Sequence, residues 1–242
     1  ATIDRMTFKA YIHQIIKRET SNTQMIFLSG LCLMIIGLIF SYIYNEIFHT
    51  DSGKGILASI MMIGMLTIFF TYFYQYYDFE KIKNLKKGFV ELEKDELIIN
   101  YTEKIKYEEL TDFDLSINAY YNEKINFGHR SPTEKRSLGI SNTLTITHKS
   151  KTRTFNFKLE DKSHQNVLER NIYNIVISEK LRNIDGKKSI KLIPKQYKNF
   201  EEYREYVGKQ LREKKVNCTE GLLLIGYNTY EEAQELKKKY CG

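Results

Sequence analysis

The chain has 242 residues, a net charge of +7 and three cysteines, at positions 32, 218 and 241. Three scattered cysteines exclude a disulfide framework and a zinc site, and they fit a reducing compartment. The excess of lysine and arginine suits a surface of anionic lipid, and nucleic acid is not the expected partner.

The first segment predicts an amphipathic helix within residues 1–23. Cationic side chains alternate with an apolar stripe at helical spacing over residues 3–20. Such a helix lies in the headgroup layer of a membrane or packs on the soluble part of the chain, and the pattern favours neither. The stripe consists of Phe8, Tyr11, Ile12, Ile15 and Ile16.

Residues 24–77 predict a transmembrane helical hairpin. The apolar runs Met25–Tyr44 and Ile56–Tyr74 contain no charge. Each is about 20 residues long, which is the length that a helix needs to cross the hydrocarbon core. Tyrosines close both runs, as is typical of a membrane interface. The alternative is a buried hairpin of a soluble protein.

The basic residues near the two runs predict their orientation. Lysines and arginines precede the first run and follow the second, whereas the intervening segment Asn45–Gly55 holds only Lys54. By the positive-inside rule, both termini are expected in the cytoplasm.

Small residues within the runs predict close helix packing. Gly37 and Ser41 are four residues apart, as are Gly55 and Ser59. This spacing lets helices approach closely, either within one hairpin or between protomers. The absence of ionisable residues from both runs argues against a transporter, although an oligomeric pore lined by hydroxyls and backbone stays open.

The rest of the chain predicts a mostly β domain followed by an α/β extension, so the fold class is α+β. After a charged connector at 78–87, short alternating segments form a meander of about six strands, interrupted by a long mobile loop at 121–139. A helix capped by Asp161 or Ser163 closes the meander. Residues 186–242 then hold a helix starting near Asn199, a buried strand at Gly221–Tyr227 and a last helix. The predicted strands cover residues 89–92, 97–101, 105–107, 113–119, 144–146 and 155–159.

Two stretches carry a family resemblance. The first is Lys86–Leu115, which contains Tyr107–Leu110, and the second is Lys191–Gln210, which contains an Ile-Pro-Lys segment at 193–195. Both resemble the YcxB-like family of bacterial two-span membrane proteins with pleckstrin-homology-like (PH-like) domains. The resemblance, which covers roughly residues 8–210, implies a PH-like domain at 78–185, a location in the bacterial inner membrane and no established catalytic residues. The chain departs from the family by a strong helix before the Ile-Pro-Lys segment and by the addition after it that completes the predicted α/β extension at 186–242.

No pattern of catalytic, cofactor-binding or metal-binding residues is found, so neither enzymatic activity nor a cofactor is expected. Basic residues are the candidates for contact with anionic lipid or a phosphate-bearing ligand. The alternative is an ordinary solvated surface. The candidates are Arg130, Arg136, Lys149, Lys151, Arg153, Lys187 and Lys188, with His129 and Lys135 also in the long loop.

Three functions remain open from the sequence. The first is a non-enzymatic membrane-anchored protein whose domain binds a protein partner or anionic lipid. The second is an oligomeric membrane effector, gated by a signal at the cytosolic domain, for example in antiphage defence. The third is an immunity protein against a toxin, which the topology permits.

Overall fold

The computed structural model describes residues 7–48, 54–128, 131–227 and 229–241, which form an α+β fold with two apolar helices near the N-terminus and an antiparallel seven-stranded sheet. The helices are α1 (Asn22–Phe48), α2 (Lys54–Tyr74), α3 (Lys162–Ile177), α4 (Gly186–Leu192), α5 (Glu201–Arg212), α6 (Cys218–Ile225) and α7 (Tyr230–Cys241). The strands are β1 (Phe8–Glu19), β2 (Lys81–Leu92), β3 (Glu96–Ile99), β4 (Glu103–Lys106), β5 (Leu110–Ser116), β6 (Asn142–His148) and β7 (Lys151–Phe157).

The chain divides into two compact units. The sheet unit contains the chain through Gln14, then Lys86–Asn118 and the chain from Ser141 onward; the hairpin unit contains Ile15–Leu85 and Ala119–Ile140. The helices α1 and α2 are therefore inserted between β1 and β2, and both of these strands contribute residues to each unit.

The sheet has the strand order β4-β3-β2-β1-β7-β6-β5. Strands that follow one another along the chain pair antiparallel in two groups, β2–β3–β4 and β5–β6–β7. β1 lies between these groups and pairs with β7, where Ile12 lies opposite Phe157. Alternate side chains point to opposite faces of a strand, so one face supplies the core. The fully buried side chains on it include Phe8, Leu97, Phe113 and Ile146.

The predicted amphipathic helix is wrong over residues 8–19, which form β1. Phe8, Ala10 and Ile12 are buried at a spacing of two, whereas Tyr11 and Ile16 are exposed. Phe8 and Ile12 are also four residues apart, so the same side chains satisfied a helical pattern. Pairing with β7 and burial in the sheet core decide in favour of the strand.

The six strands predicted after the hairpin correspond to β2–β7, and the helix after them to α3. β2 begins at Lys81, so seven of the ten residues of the predicted charged connector, 81–87, are strand. Asp161 caps α3 by accepting a hydrogen bond from the backbone N–H of His164 at 2.8 Å. The imidazole of His164 packs 4.7 Å from the ring of Phe8, which brings the start of α3 against β1.

Two predictions for the C-terminal part are wrong. Gly221–Tyr227 is not a strand: α6 covers Cys218–Ile225, and the Asn217 side chain caps it by accepting from the N–H of Thr219 at 2.9 Å. The described part of the extension is therefore helical. The cysteines are also not all unpaired, because Cys218 and Cys241 form a disulfide between α6 and α7.

Candidate functional site at the base of the apolar hairpin

The two helices of the hairpin unit expose most of their apolar side chains. Asn22–Glu46 and Gly55–Tyr74 are long and apolar enough to cross a membrane. Only 11% of the most apolar 18-residue stretch in each helix is buried. A core helix of a soluble protein would be mostly buried. The outward side chains include Leu38, Phe40, Phe69 and Phe73, all more than half exposed.

Glycines set the contact between α1 and α2. A Cβ added at Gly64 would lie 2.9 Å from the carbonyl oxygen of Gly30, and one at Gly37 would lie 2.5 Å from Cγ of Met61. The predicted packing residue Gly37 therefore lies at the contact, whereas a Cβ at Gly55 would meet nothing within 4 Å.

The other predicted packing residues do not lie at such an approach. Ser59 is exposed and donates a hydrogen bond to the Gly55 carbonyl at 2.9 Å, and Ser41 is half-buried. Gly30 and Gly64 were missed because each approaches the other across two different helices, and no spacing within one apolar run reveals such a contact.

A buried carboxylate joins the start of α1 to the chain that follows α2. Asp78 is only 4% exposed. It accepts hydrogen bonds from the backbone N–H of Thr23 at 2.7 Å, from the Thr23 hydroxyl at 2.8 Å and from the Asn22 amide at 3.4 Å. The carboxylate thus satisfies one free backbone N–H group, that of Thr23, in the first turn of α1, where the helix dipole favours an anion.

The long loop predicted as mobile is hydrogen-bonded to this same end of the hairpin. Backbone N–H groups of Lys135 and Arg136 donate to the carbonyls of Gln75 and Asp78 at 2.9 and 3.0 Å. The Glu80 carboxylate accepts from the Ser137 hydroxyl at 2.7 Å. We call this region, residues 72–80 with the loop 119–140, the hairpin base.

The hairpin base encloses a cavity of about 280 Å³. It opens between the end of α2 and the loop, and its lining residues, among those that the structure describes, include no acidic side chain. The lining residues are Tyr72, Gln75, Tyr76, Lys124, Phe127, Gly128, Ser131, Pro132 and Lys135.

Four of the predicted anion-contact residues are engaged in contacts within the protein. Three are paired with carboxylates: Arg153 with Glu103 through two hydrogen bonds of 2.7 and 2.6 Å, Lys187 with Glu220 at 2.6 Å, and Lys188 with Asp112 at 2.6 Å. The fourth, Arg136, donates to the carbonyls of Tyr76 at 2.8 Å and Asn122 at 3.2 Å.

Two of these ion pairs shift the pKa of a member in the direction that favours its charged form. Hydrogen bonds from Arg153 hold the pKa of Glu103 below its usual value, and the hydrogen bond to Asp112 raises the pKa of Lys188. Both groups are thus fixed in their charged forms at neutral pH.

Lys149 and Lys151 lie exposed at the turn between β6 and β7, and neither is paired with a carboxylate of the described chain. Arg130 lies outside the described residues, as does His129. The six candidates that lie within the described residues are thus spread over both units and do not form one site. Lys135 stands out instead through its burial. Lys124 lines the same cavity and was missed, because the sequence does not show which loop residues come together around a cavity.

Within the described residues, no three His, Cys, Asp or Glu side chains come together as a metal ion would require. In comparisons with known proteins, no family model, no curated protein and no solved structure matches the chain. The function is therefore argued from the site alone.

Proposed function

We propose that this is a two-span membrane protein whose sheet unit is a PH-like, non-enzymatic interaction domain in the cytoplasm, binding a protein partner or anionic lipid. The observation that carries the proposal is the exposed apolar surface of α1 and α2. Exposed apolar patches on monomeric soluble proteins rarely exceed a few hundred Å², and larger ones mark interaction or membrane surfaces. Two helices whose apolar runs contain no charge and are largely exposed suit lipid as the surrounding medium.

Tyrosines near the C-terminal ends of α1 and α2 support a bilayer boundary at each of these ends. Tyr72, Tyr76 and Tyr77 are exposed at the C-terminal end of α2, and Tyr42 is exposed near the end of α1. Tyrosine favours the membrane interface because its ring is apolar and its hydroxyl remains hydrated. The hairpin base, with its carboxylates and lysines, follows directly where polar groups are expected to meet water.

The strand order supports the PH-like assignment in a general way. A seven-stranded antiparallel sheet, with α3 directly after its last strand, supports the resemblance noted for Lys86–Leu115. Among the described residues the sheet unit has no group of side chains that could hold a metal ion, and Arg153 and Lys188 are paired with carboxylates within it. Such a surface suits recognition of a partner more than chemistry.

Two observations bear on orientation, and they oppose each other. The lysines and arginines at the outer ends of the hairpin favour the cytoplasm for both flanks. The Cys218–Cys241 disulfide favours an oxidising compartment. We assign the flanks to the cytoplasm, where the two cysteines are expected as thiols that pair when the protein is oxidised.

Cysteine labelling tests both the membrane insertion and the orientation. Asp51→Cys and Lys149→Cys are made separately in a chain whose native cysteines are replaced by serine, and intact cells are treated with a membrane-impermeant maleimide. We expect labelling of Asp51→Cys in intact cells and of Lys149→Cys only after permeabilisation. The opposite pattern overturns the orientation, and a protein that stays dispersed in buffer without detergent overturns the membrane assignment.

A second candidate is an oligomeric membrane effector. Gly55 and Ser59 are not used in the contact between α1 and α2 and face outward, so they are available to a neighbouring protomer. The particle mass in mild detergent, together with dye release from liposomes, distinguishes the candidates. A monomer that releases no dye excludes the effector.

A further inference from the structure

The cavity in the hairpin base contains a buried cation without a carboxylate partner. Lys135 is 8% exposed and lines the cavity. Its ammonium donates to the Asn126 carbonyl, and no acidic side chain of the described chain pairs with it. An ammonium has three donors, so a single carbonyl leaves donors free.

This arrangement is costly unless an anion completes it. Burying a charge is strongly unfavourable when no opposite charge compensates it. The backbone nevertheless fixes Lys135 in place, because its N–H donates to the Gln75 carbonyl at 2.9 Å and its own carbonyl accepts from Ile125 at 3.0 Å. A side chain held by its backbone, beside a cavity without acidic residues, is a preformed site for an anion.

The rest of the lining narrows the class of anion. Lys124 is exposed at the mouth and adds a second ammonium, and Ser131 adds a hydroxyl. Two ammonium groups and a hydroxyl are the donors that a phosphate group favours. A cavity of about 280 Å³ accommodates a headgroup rather than a whole lipid.

The aromatic rim points to a phosphate carried by a lipid. Tyr72 and Tyr76 at the end of α2 are about half exposed, and Phe127 is 75% exposed. From this rim the apolar surface of α2 continues through Phe73 and Phe69. A ligand with a phosphate in the cavity could therefore lay its acyl chains along α2.

We propose that the cavity binds the phosphate group of an anionic phospholipid, held by Lys135 and Lys124, with the acyl chains along the exposed face of α2. The proposal rests on the proposed function, since it requires the hairpin to lie in a bilayer. It names a ligand class for the hairpin unit, separate from any partner of the sheet unit.

The test uses the whole chain in nanodiscs of phosphatidylcholine, with and without phosphatidylglycerol, and native mass spectrometry of the retained lipid. Glycerol 3-phosphate, added to the sample that contains phosphatidylglycerol, represents a free phosphate source that can compete with the lipid. Lys124→Gln is the main variant, because this side chain is exposed and its loss leaves the fold intact. Lys149→Gln is the matched control, an exposed lysine outside the cavity. Lys135→Gln is included with circular dichroism as a check of folding.

We expect phosphatidylglycerol to be retained in preference to phosphatidylcholine, and Lys124→Gln to weaken that retention about five-fold, which equals about 1 kcal/mol. Lys149→Gln is expected to leave retention unchanged, and a folded Lys135→Gln to lose the preference. Equal retention of both lipids overturns the inference, as does an equal effect of Lys124→Gln and Lys149→Gln. Binding of glycerol 3-phosphate that displaces phosphatidylglycerol assigns the site to a free phosphate and overturns the lipid source. If the protein enters nanodiscs but shows no preference, only this inference fails; if it does not enter nanodiscs, the proposed function fails.

Discussion

Asp78 is expected to hold the hairpin base together, and its replacement by alanine tests this directly. The carboxylate is buried and accepts two short hydrogen bonds from Thr23 in the first turn of α1. Asp78→Ala removes the acceptor and leaves a buried N–H and a buried hydroxyl of Thr23 without partners. Hydrogen bonds to a charged group are worth about 1.5–3 kcal/mol each, while relief of the buried charge offsets part of this loss.

We therefore expect Asp78→Ala to lower the free energy of unfolding by about 3 kcal/mol. For a chain of this size the change corresponds to a decrease in Tm of about 6–12 °C. Asp78→Asn keeps an oxygen acceptor without the charge and should cost about 1 kcal/mol. The assay is the fraction of monodisperse protein in mild detergent after heating, measured by size-exclusion chromatography.

Glu46→Ala is the matched control, since Glu46 is an exposed carboxylate on α1, the helix whose first turn Asp78 contacts. Its effect should stay within about 0.5 kcal/mol, as is usual for surface positions. Equal Tm values for Asp78→Ala and Glu46→Ala would refute the reasoning, because they would mean that the buried carboxylate contributes no more than a solvated one.

Further predictions concern the helix contact, one ion pair and the disulfide. Gly64→Ala should lower Tm relative to Gly55→Ala, because the Cβ that it adds would lie 2.9 Å from the carbonyl oxygen of Gly30. α1 and α2 must then separate at a cost of about 1–3 kcal/mol. Equal Tm values of the two variants in detergent would contradict this. The pairing with Arg153 lowers the pKa of Glu103, so its stabilisation is present above the unfolded pKa and is lost as pH falls through the lower folded pKa. Arg153→Ala should therefore cost about 0.5 kcal/mol at neutral pH and flatten the acid limb of a pH–Tm curve; an unchanged limb would argue against the pair. Under oxidising conditions Cys218→Ser should cost about 3 kcal/mol and should have no such effect in reductant, as followed by Tm with and without dithiothreitol.

The strands after the hairpin were predictable because each carries its own local signal. Apolar residues alternate with polar ones at Phe113 and Leu115 and at Leu144 and Ile146, and this pattern predicts a half-buried strand. In the pairing of β5 with β6, Phe113 lies opposite Ile146 and Leu115 opposite Leu144. Turns between such strands were also visible: Lys149 and Ser150 both adopt positive φ at the β6–β7 turn. Local patterning therefore defined the meander without knowledge of its partners.

The failures occur where a pattern has two solutions that only distant contacts separate. In β1, Phe8 and Ile12 suit a helix and a strand equally until β7 is present as a partner. The continuous apolar run at residues 221–225 cannot distinguish helix from strand by period, and the Asn217 cap decides for α6. The burial of Lys135 by its own loop likewise depends on the Gln75 carbonyl, 60 residues earlier in the sequence.

The position of β1 changes how the two halves of the chain can be studied. β1 lies between β2 and β7 in the sheet and supplies Phe8, Ala10 and Ile12 to its core. A fragment that begins at residue 78 would lack this strand. It would leave two neighbouring strands with unpaired backbone groups and a cavity where a buried phenylalanine belongs, a loss of about 3–5 kcal/mol for Phe8 alone. Failure of such a fragment to bind lipid or a partner would therefore report an incomplete sheet and not the absence of a binding function. The sheet unit is completed by residues that precede the hairpin, so the hairpin is an insertion within a domain, and binding has to be measured on a chain that retains both.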